Sequence, residues 1–328
     1  MTSKTIATFA STCANIAMPM IGLGTMELNG PEMVRSAMQS AISLGYKRID
    51  CAPVYFNEEH IGDALQNEFK SGTIQRQDLF LTSKLASPFH KRDLVEPALL
   101  KTLSDLRVDY LDLFLIHWPV AFYPVPIDMS VRGWPDDAVD DSDGGKNIDP
   151  SVTVKETWMA MEELVDKGLV RNIGVSNFPV ALLHELLADC KIKPSVNQVE
   201  IHPYLQQRKL IDYCKARGVH VQAYSALGTA GYKEPGEPSV LDDPVLSDIA
   251  SKRGMSVAQL CLAWSMQRGC SVVAKSASPK RQKENLLLEI DQPQLSEAEM
   301  KHIEELDRGY RFFRPEDWWG SMAMAVFD

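Results

Sequence analysis

Short apolar runs alternate along the chain with longer segments of helical period. The runs fall at 20–25, 47–50, 79–85, 111–117, 170–176, 195–201, 219–225 and 270–276. They are continuous rather than alternating, as strands covered on both faces are. Helical segments fall near 58–69, 92–106, 153–167, 179–189, 206–217, 242–253 and 279–288, and Pro31 opens one more that ends near Gly45. Eight strands in turn with helices predict the α/β class and a (β/α)8 TIM barrel. With no short-period repeat and no Gly/Ser linker, residues 1–328 are expected to form a single domain.

Two stretches break the rhythm. Residues 119–152 are rich in Pro and Asp and carry Trp134 and the acidic positions Asp136, Asp137, Asp140, Asp141 and Asp143; residues 226–241 are rich in Gly and Pro. Both follow strands at their C-terminal ends, so both are expected to overhang the barrel mouth, as is the tail 307–328. The acidic run reads as a solvated excursion and the aromatics beside it as pocket walls.

Composition narrows the class. With 328 residues, 45% hydrophobic, the chain can bury a large core, and 24% charged residues is ordinary for a soluble protein. A net charge of -10 argues against a general nucleic-acid or acidic-membrane binder. The six cysteines form no CxxC pair and read as reduced thiols of an intracellular protein, so a cytoplasmic location is expected. No apolar stretch approaches a membrane span, and the N-terminus is a poor signal peptide.

The second, third and fourth runs end on Asp50, Lys84 and His117, and Tyr55 follows five residues after Asp50. Parallel neighbours would bring these four side chains to one sheet edge, where such folds place their chemistry. Each alone is ordinary: a cap, a snorkelling lysine, a packed ring. Together they make a site that protonates an oxygen as it becomes an alkoxide. A nearby ammonium makes a phenol a better proton donor, Asp50 would keep Lys84 charged, and His117 could hold a carbonyl oxygen.

Hydride chemistry needs a donor that side chains cannot supply. The stretch from Gly22 to Glu27 lacks the third glycine and the βα turn of a dinucleotide fingerprint, so no Rossmann site is expected. A barrel binds phosphate near its last two strands. There Lys275, Ser276, Ser278, Pro279 and Arg281 combine cations, hydroxyls and a helix start, which suits a 2′-phosphate and so NADP over NAD. Ser176, Asn177 and Gln198 could grip a carboxamide. Tyr224 could stack on a ring, with a pyrophosphate turn running on to Gly228. GVSNF at 174–178 lacks the GxSxG spacing of a nucleophile elbow.

Taken jointly, GLGT at 22–25, GYKRIDCAPVYFNEE at 45–59, SKL at 83–85, DLFLIHWP at 112–119, GVSNF at 174–178, NQVEIHPY at 197–204, AYSALG at 223–228 and the Lys275-to-Asn285 pattern resemble the aldo-keto reductase superfamily over nearly the whole chain. That resemblance implies a catalytic tetrad of Asp50, Tyr55, Lys84 and His117, with Tyr55 as general acid. It implies a cofactor site of Gly24, Thr25, Ser176, Asn177, Gln198, Tyr224, Ser225, Leu227, Lys275, Ser276, Arg281, Glu284 and Asn285. NADPH is the expected cofactor, NADH a possible secondary one, and no metal is expected.

The 118–127 segment and the tail from Arg311 to Trp318 look like those of aldose and xylose reductases. This implies reduction of aldoses and other aldehydes to alcohols, with a pocket formed by Met26, Trp118, Phe122, Trp134, Phe312 and Trp318. Met26 stands where aldose reductases typically carry Trp, and Phe313 where xylose reductases commonly carry an Asn that contacts sugar hydroxyls. The first makes one pocket wall less aromatic; the second removes that amide and favours more apolar aldehydes. Ala274 and Cys51 replace a common Pro and Thr. Two other readings are a Schiff-base aldolase using Lys84 and a non-catalytic, channel-associated subunit that keeps the fold. The expected partner is a small carbonyl substrate, with neither nucleic acid nor membrane, and the chain a monomer or weak homodimer.

Overall fold

The computed structural model describes residues 17–128, 148–229, 236–315 and 326–327. Trp134, Trp318 and the acidic run lie outside them.

Eight parallel strands close into a barrel in sequence order: β1 Ile21–Gly24, β2 Arg48–Asp50, β3 Phe80–Leu85, β4 Leu113–Ile116, β5 Ile173–Ser176, β6 Val196–Glu200, β7 His220–Tyr224 and β8 Ser271–Lys275, with β8 returning to β1. This is the predicted (β/α)8 barrel.

The strands are shorter than their apolar runs. In the runs from 111 and 170 the ladder breaks early: Leu111 and Val170 make one isolated bridge. Asp112 interrupts it, because its buried carboxylate accepts from the Leu81 N–H (3.0 Å) and pairs with Arg76 and Arg171.

The helices expected at 58–69 and 279–288 extend to Glu58–Ser71 and Pro279–Asp291. Two more were not anticipated. Val257–Gln267 lies between β7 and β8, with six consecutive buried residues from Leu260 to Ser265, so it presents no single apolar stripe. Glu297–Glu304 is only eight residues long. Both begin with a capping box, Ser256 with Gln259 and Ser296 with Glu299, and that spacing was the available sequence signal.

The continuity of the strands has a physical source. In β4, Phe114 and Ile116 join the main core between strands and helices, whereas Leu113 and Leu115 pack with Met18 and Val196 in a small separate cluster. One run thus feeds two cores by alternation. In β2, β3, β6 and β7 the positions in the second set are partly polar: Arg48 and Asp50, Thr82 and Lys84, Gln198 and Glu200, His220 and Gln222, all buried.

Arg48 closes the bottom of the barrel. Its guanidinium donates to Pro19 O (2.6 Å) and Val272 O (2.5 Å), and burial lowers its pKa to about 10, so it stays charged. A Cβ on Gly22 would lie 2.4 Å from Arg48 Nε, so the absence of a side chain there makes room for the arginine rather than for a nucleotide. The described cysteines are free, and among the described residues no helix is long and apolar enough to cross a membrane.

Candidate active site

The ladder brings the candidate residues to the C-terminal ends of the strands. Gly24 pairs with Asp50 on one side and Lys275 on the other; Asp50 pairs with Thr82, Ser176 with Gln198, and Gln198 with Gln222. Tyr55 follows β2 on a single 3-10 turn, Pro53–Tyr55, stopped by Phe56 at φ 53°. Asn57 holds this turn against the β1 loop by donating to Thr25 O (2.8 Å) and Leu28 O (3.1 Å).

Lys84 is the hub. Its Nζ donates to Asp50 Oδ1 (2.5 Å), Cys51 O (2.9 Å) and Tyr55 OH (3.2 Å), which occupies all three ammonium protons. Burial is the largest single influence and would lower the lysine's pKa, but Asp50 and Tyr55 together outweigh it and the net direction is up, so Lys84 is charged. The His117 ring stands edge-on to Tyr55 with centroids 6.0 Å apart. Burial, together with Lys84 and His90, holds His117 well below the ordinary histidine value, so it is neutral at pH 7. All four predicted residues therefore share one pocket.

One expectation is corrected. Lys84 was expected to dominate the phenol. It does pull the Tyr55 pKa down, but burial is the larger effect, Asp50 adds to it, and the net direction is up. Tyr55 thus holds its proton at neutral pH and can give it to a developing alkoxide.

The expected carboxamide grip is assembled but internally engaged. Ser176 Oγ donates to Gln198 O (2.8 Å), Asn177 Nδ2 to His117 O (2.9 Å), and Tyr224 OH to Asn177 Oδ1 (2.7 Å). Asn177 sits at φ 63°, a left-handed geometry that few side chains adopt. Gln198 Nε2 donates to Asp50 Oδ2 (2.7 Å), and its amide oxygen is the atom suited to accept from a carboxamide N–H. Thr25 Oγ1 donates to Asp50 O (2.8 Å) and so ties β1 to β2. Ser225 (φ 48°) and Leu227 lie in a turn closed by Gly228 N–H donating to Ser225 O.

At the end of β8, Lys275 and Arg281 are exposed, and among the described residues neither forms an ion pair. Ser276 and Asn285 are buried, and Glu284 pairs with Lys280 (3.8 Å). Ser278 caps Pro279–Asp291, so two cations without an ion pair flank a helix N-terminus. That donor set fits a phosphate group.

The pocket aromatics divide. Trp118 and Phe122 pack with Val120 and Val326, and the Trp118 ring stacks on His117 at 6.5 Å. Met26 is half-buried. Phe312, expected as a wall, packs into the core against the His202 ring (4.9 Å), while Phe313 stands edge-on to Tyr224 at 5.4 Å. Glu200, unanticipated, sets this arrangement: its fully buried carboxylate accepts from the N–H groups of Phe312 (2.8 Å) and Phe313 (3.0 Å).

Glu58 was also missed. It lines, with Lys84, a cavity of about 170 Å³ beside the site. It accepts from Ser83 Oγ (2.6 Å), and burial pushes its carboxyl up from 4.5 to about 8. The folded state therefore holds this proton more tightly than the unfolded chain. Its contribution to stability is fully present below pH 4.5 and is lost as pH rises through about 8. Glu58→Gln should gain on the wild type by ~4 kcal/mol between about pH 5 and about pH 9, read from denaturant unfolding. A pH-independent difference would place the proton elsewhere.

Comparison with known proteins gives a consistent result. A sequence model described as "Aldo/keto reductase family" matches residues 20–308. The chain is 42% identical over 306 residues to "Aldo/keto reductase slr0942" of Synechocystis, covering 92% of this chain and 89% of that protein. It is 43% identical to the bovine and 42% identical to the human "Aldo-keto reductase family 1 member A1", covering 91% of this chain and 89% of each relative.

Proposed function

The chain belongs to the aldo/keto reductase family, and on that premise we propose that it reduces aldehydes and aldoses to alcohols with NADPH, with Tyr55 as the acid. The observation that carries this reading is the hydrogen-bonded line from Asp50 through Lys84 to Tyr55 at the barrel mouth, with His117 beside it.

When bound, the cofactor supplies the hydride. The chain's own residues do the rest. His117 orients the substrate carbonyl oxygen toward Tyr55. Tyr55 gives up its phenolic proton as the oxygen becomes an alkoxide, and Lys84 stabilises the phenolate that results. Ser176, Asn177 and Gln198 would hold the carboxamide, Tyr224 the ring, and Lys275 and Arg281 the 2′-phosphate end, with Ser276, Glu284 and Asn285 around it. Gly24, Thr25, Ser225 and Leu227 would shape the path between. Phe313 beside Tyr224 presents an apolar edge, which favours apolar aldehydes over sugars.

The Schiff-base alternative conflicts with the same geometry, since a lysine held charged by Asp50 has no free electron pair for attack. A non-catalytic role gives no reason to assemble the four residues.

The test follows NADPH absorbance with a simple aldehyde, xylose and a ketone, then repeats it with NADH. We expect turnover with NADPH, faster with the apolar aldehyde than with xylose. Arg281→Ala should raise KM for NADPH roughly 10-fold or more, as the loss of a charge-assisted hydrogen bond implies, and leave NADH nearly unchanged. No turnover with any carbonyl despite tight NADPH binding would replace this reading with the non-catalytic one. An equal effect on both cofactors would remove Arg281 from the 2′-phosphate.

A further inference from the structure

Asp50 Oδ2 accepts two amide donors. Gln198 Nε2 lies 2.7 Å away and Gln222 Nε2 lies 3.0 Å away. The two glutamines are register partners on β6 and β7, so the ladder sets their side chains next to each other. Which end of each amide faces Asp50 follows from the partner, because a carboxylate can only accept.

Gln222 has no evident structural reason to be polar. It is fully buried, its neighbours Val221 and Ala223 are apolar, and among the described residues its amide oxygen has no hydrogen-bond partner. A purely structural role would be better served by an apolar side chain of the same shape. What the amide does provide is a second hold on the carboxylate that keeps Lys84 charged.

The duplication makes sense if Gln198 has another task. Gln198 lies beside Ser176 and Asn177 in the carboxamide group, and a rotation toward a ligand would weaken its contact with Asp50. Among the described residues the Gln222 side chain forms no hydrogen bond with Ser176, Asn177 or Gln198. We propose that Gln222 is a positioning residue: it anchors Asp50 Oδ2, so that Oδ1 stays on Lys84 while Gln198 serves the cofactor. The proposal rests on the carbonyl-reduction reading above and names a residue that this reading does not require.

The test uses the full chain with Gln222→Met, which keeps the shape and removes the donor. Turnover of an aldehyde should fall roughly 10-fold or more, as expected for loss of one hydrogen bond to a charged group. KM for NADPH should stay within about 2-fold, and the alkaline limb of the kcat profile should move, since Tyr55 and Lys84 feel the displaced carboxylate. The thermal midpoint should not fall, because a buried orphan oxygen is removed.

Gln222→Glu adds a sign. Protonated, the introduced carboxyl donates as the glutamine amide does, so activity should be kept at acid pH. Ionised, it repels Asp50, so activity should fall as pH rises. Wild-type kcat and an unmoved profile in Q222M, or a pH-independent loss in Q222E, would overturn the proposal. A crystal structure of Q222M reads the same point without turnover: the Asp50–Lys84 separation should exceed its present 2.5 Å. An unmoved carboxylate would overturn the proposal. A wild-type chain that turns over no carbonyl would defeat only the reading on which it rests.

Discussion

Tyr55→Phe is expected to lower turnover about 10³-fold while NADPH affinity stays within about 2-fold. The phenol is the acid that the proposed mechanism uses, hydrogen-bonded to Lys84 and beside His117. Lys84 is charged but has all three protons committed, His117 is neutral, and Asp50 is a carboxylate bound to Lys84. Phenylalanine fills the same space, so the turn Pro53–Tyr55 and its Asn57 anchors remain. What is lost is the O–H that the proposed mechanism uses to protonate the alkoxide.

The pH profile carries a second signature. Burial raises the phenol above the ordinary tyrosine value, so wild-type reduction should hold through neutral pH and decline only in the alkaline range, as the proton is lost. The variant should lack that limb. Turnover within about 10-fold of the wild type would remove Tyr55 from the acid's role.

Lys84→Met is expected to cost about 3–5 kcal/mol of stability together with nearly all turnover. The side chain is fully buried and its ammonium compensates Asp50, whose own side chain is 4% exposed. Removing the cation leaves the anion buried with, among the described residues, the two glutamine amides to hold it. A buried charge stripped of its partner is far costlier than the pair is stabilising.

Removing both charges, as Asp50→Asn with Lys84→Met, should therefore recover most of the stability and none of the activity. Denaturant unfolding reads the first and NADPH oxidation the second. If the double variant is as unstable as the single one, the ion pair is not the source of the cost.

Much of this site was visible in the residues. Asp50 ends β2, Lys84 is next to last in β3 and His117 follows β4, and an ionisable side chain near the end of an apolar run is conspicuous. Gln198 was picked out for a carboxamide but not for its hold on Asp50, and Gln222, inside β7, and Glu200, at the end of β6, were passed over because both strands look wholly buried. Their meaning depends on which face each position takes, and an unbroken apolar pattern does not mark the inner face. The even spacing of Gln198 with Glu200, and of His220 with Gln222, was the only trace.

Phe312 and Phe313 show the same limit from the other side. Both rings follow Arg311 and neither the composition nor the spacing ranks one above the other. The Glu200 carboxylate binds both backbone N–H groups and turns Phe312 into the core and Phe313 toward Tyr224.

The order of the strands and of most helices, the barrel and the meeting of Asp50, Tyr55, Lys84 and His117 were determined by the sequence alone, because apolar period and a position at or near a strand end are local properties that survive any packing. The balance on Tyr55, where burial outweighs Lys84, and the double amide hold on Asp50 were decided only in the tertiary structure. Both depend on desolvation and on contacts between residues as far as 172 positions apart, which exist only once the barrel has closed.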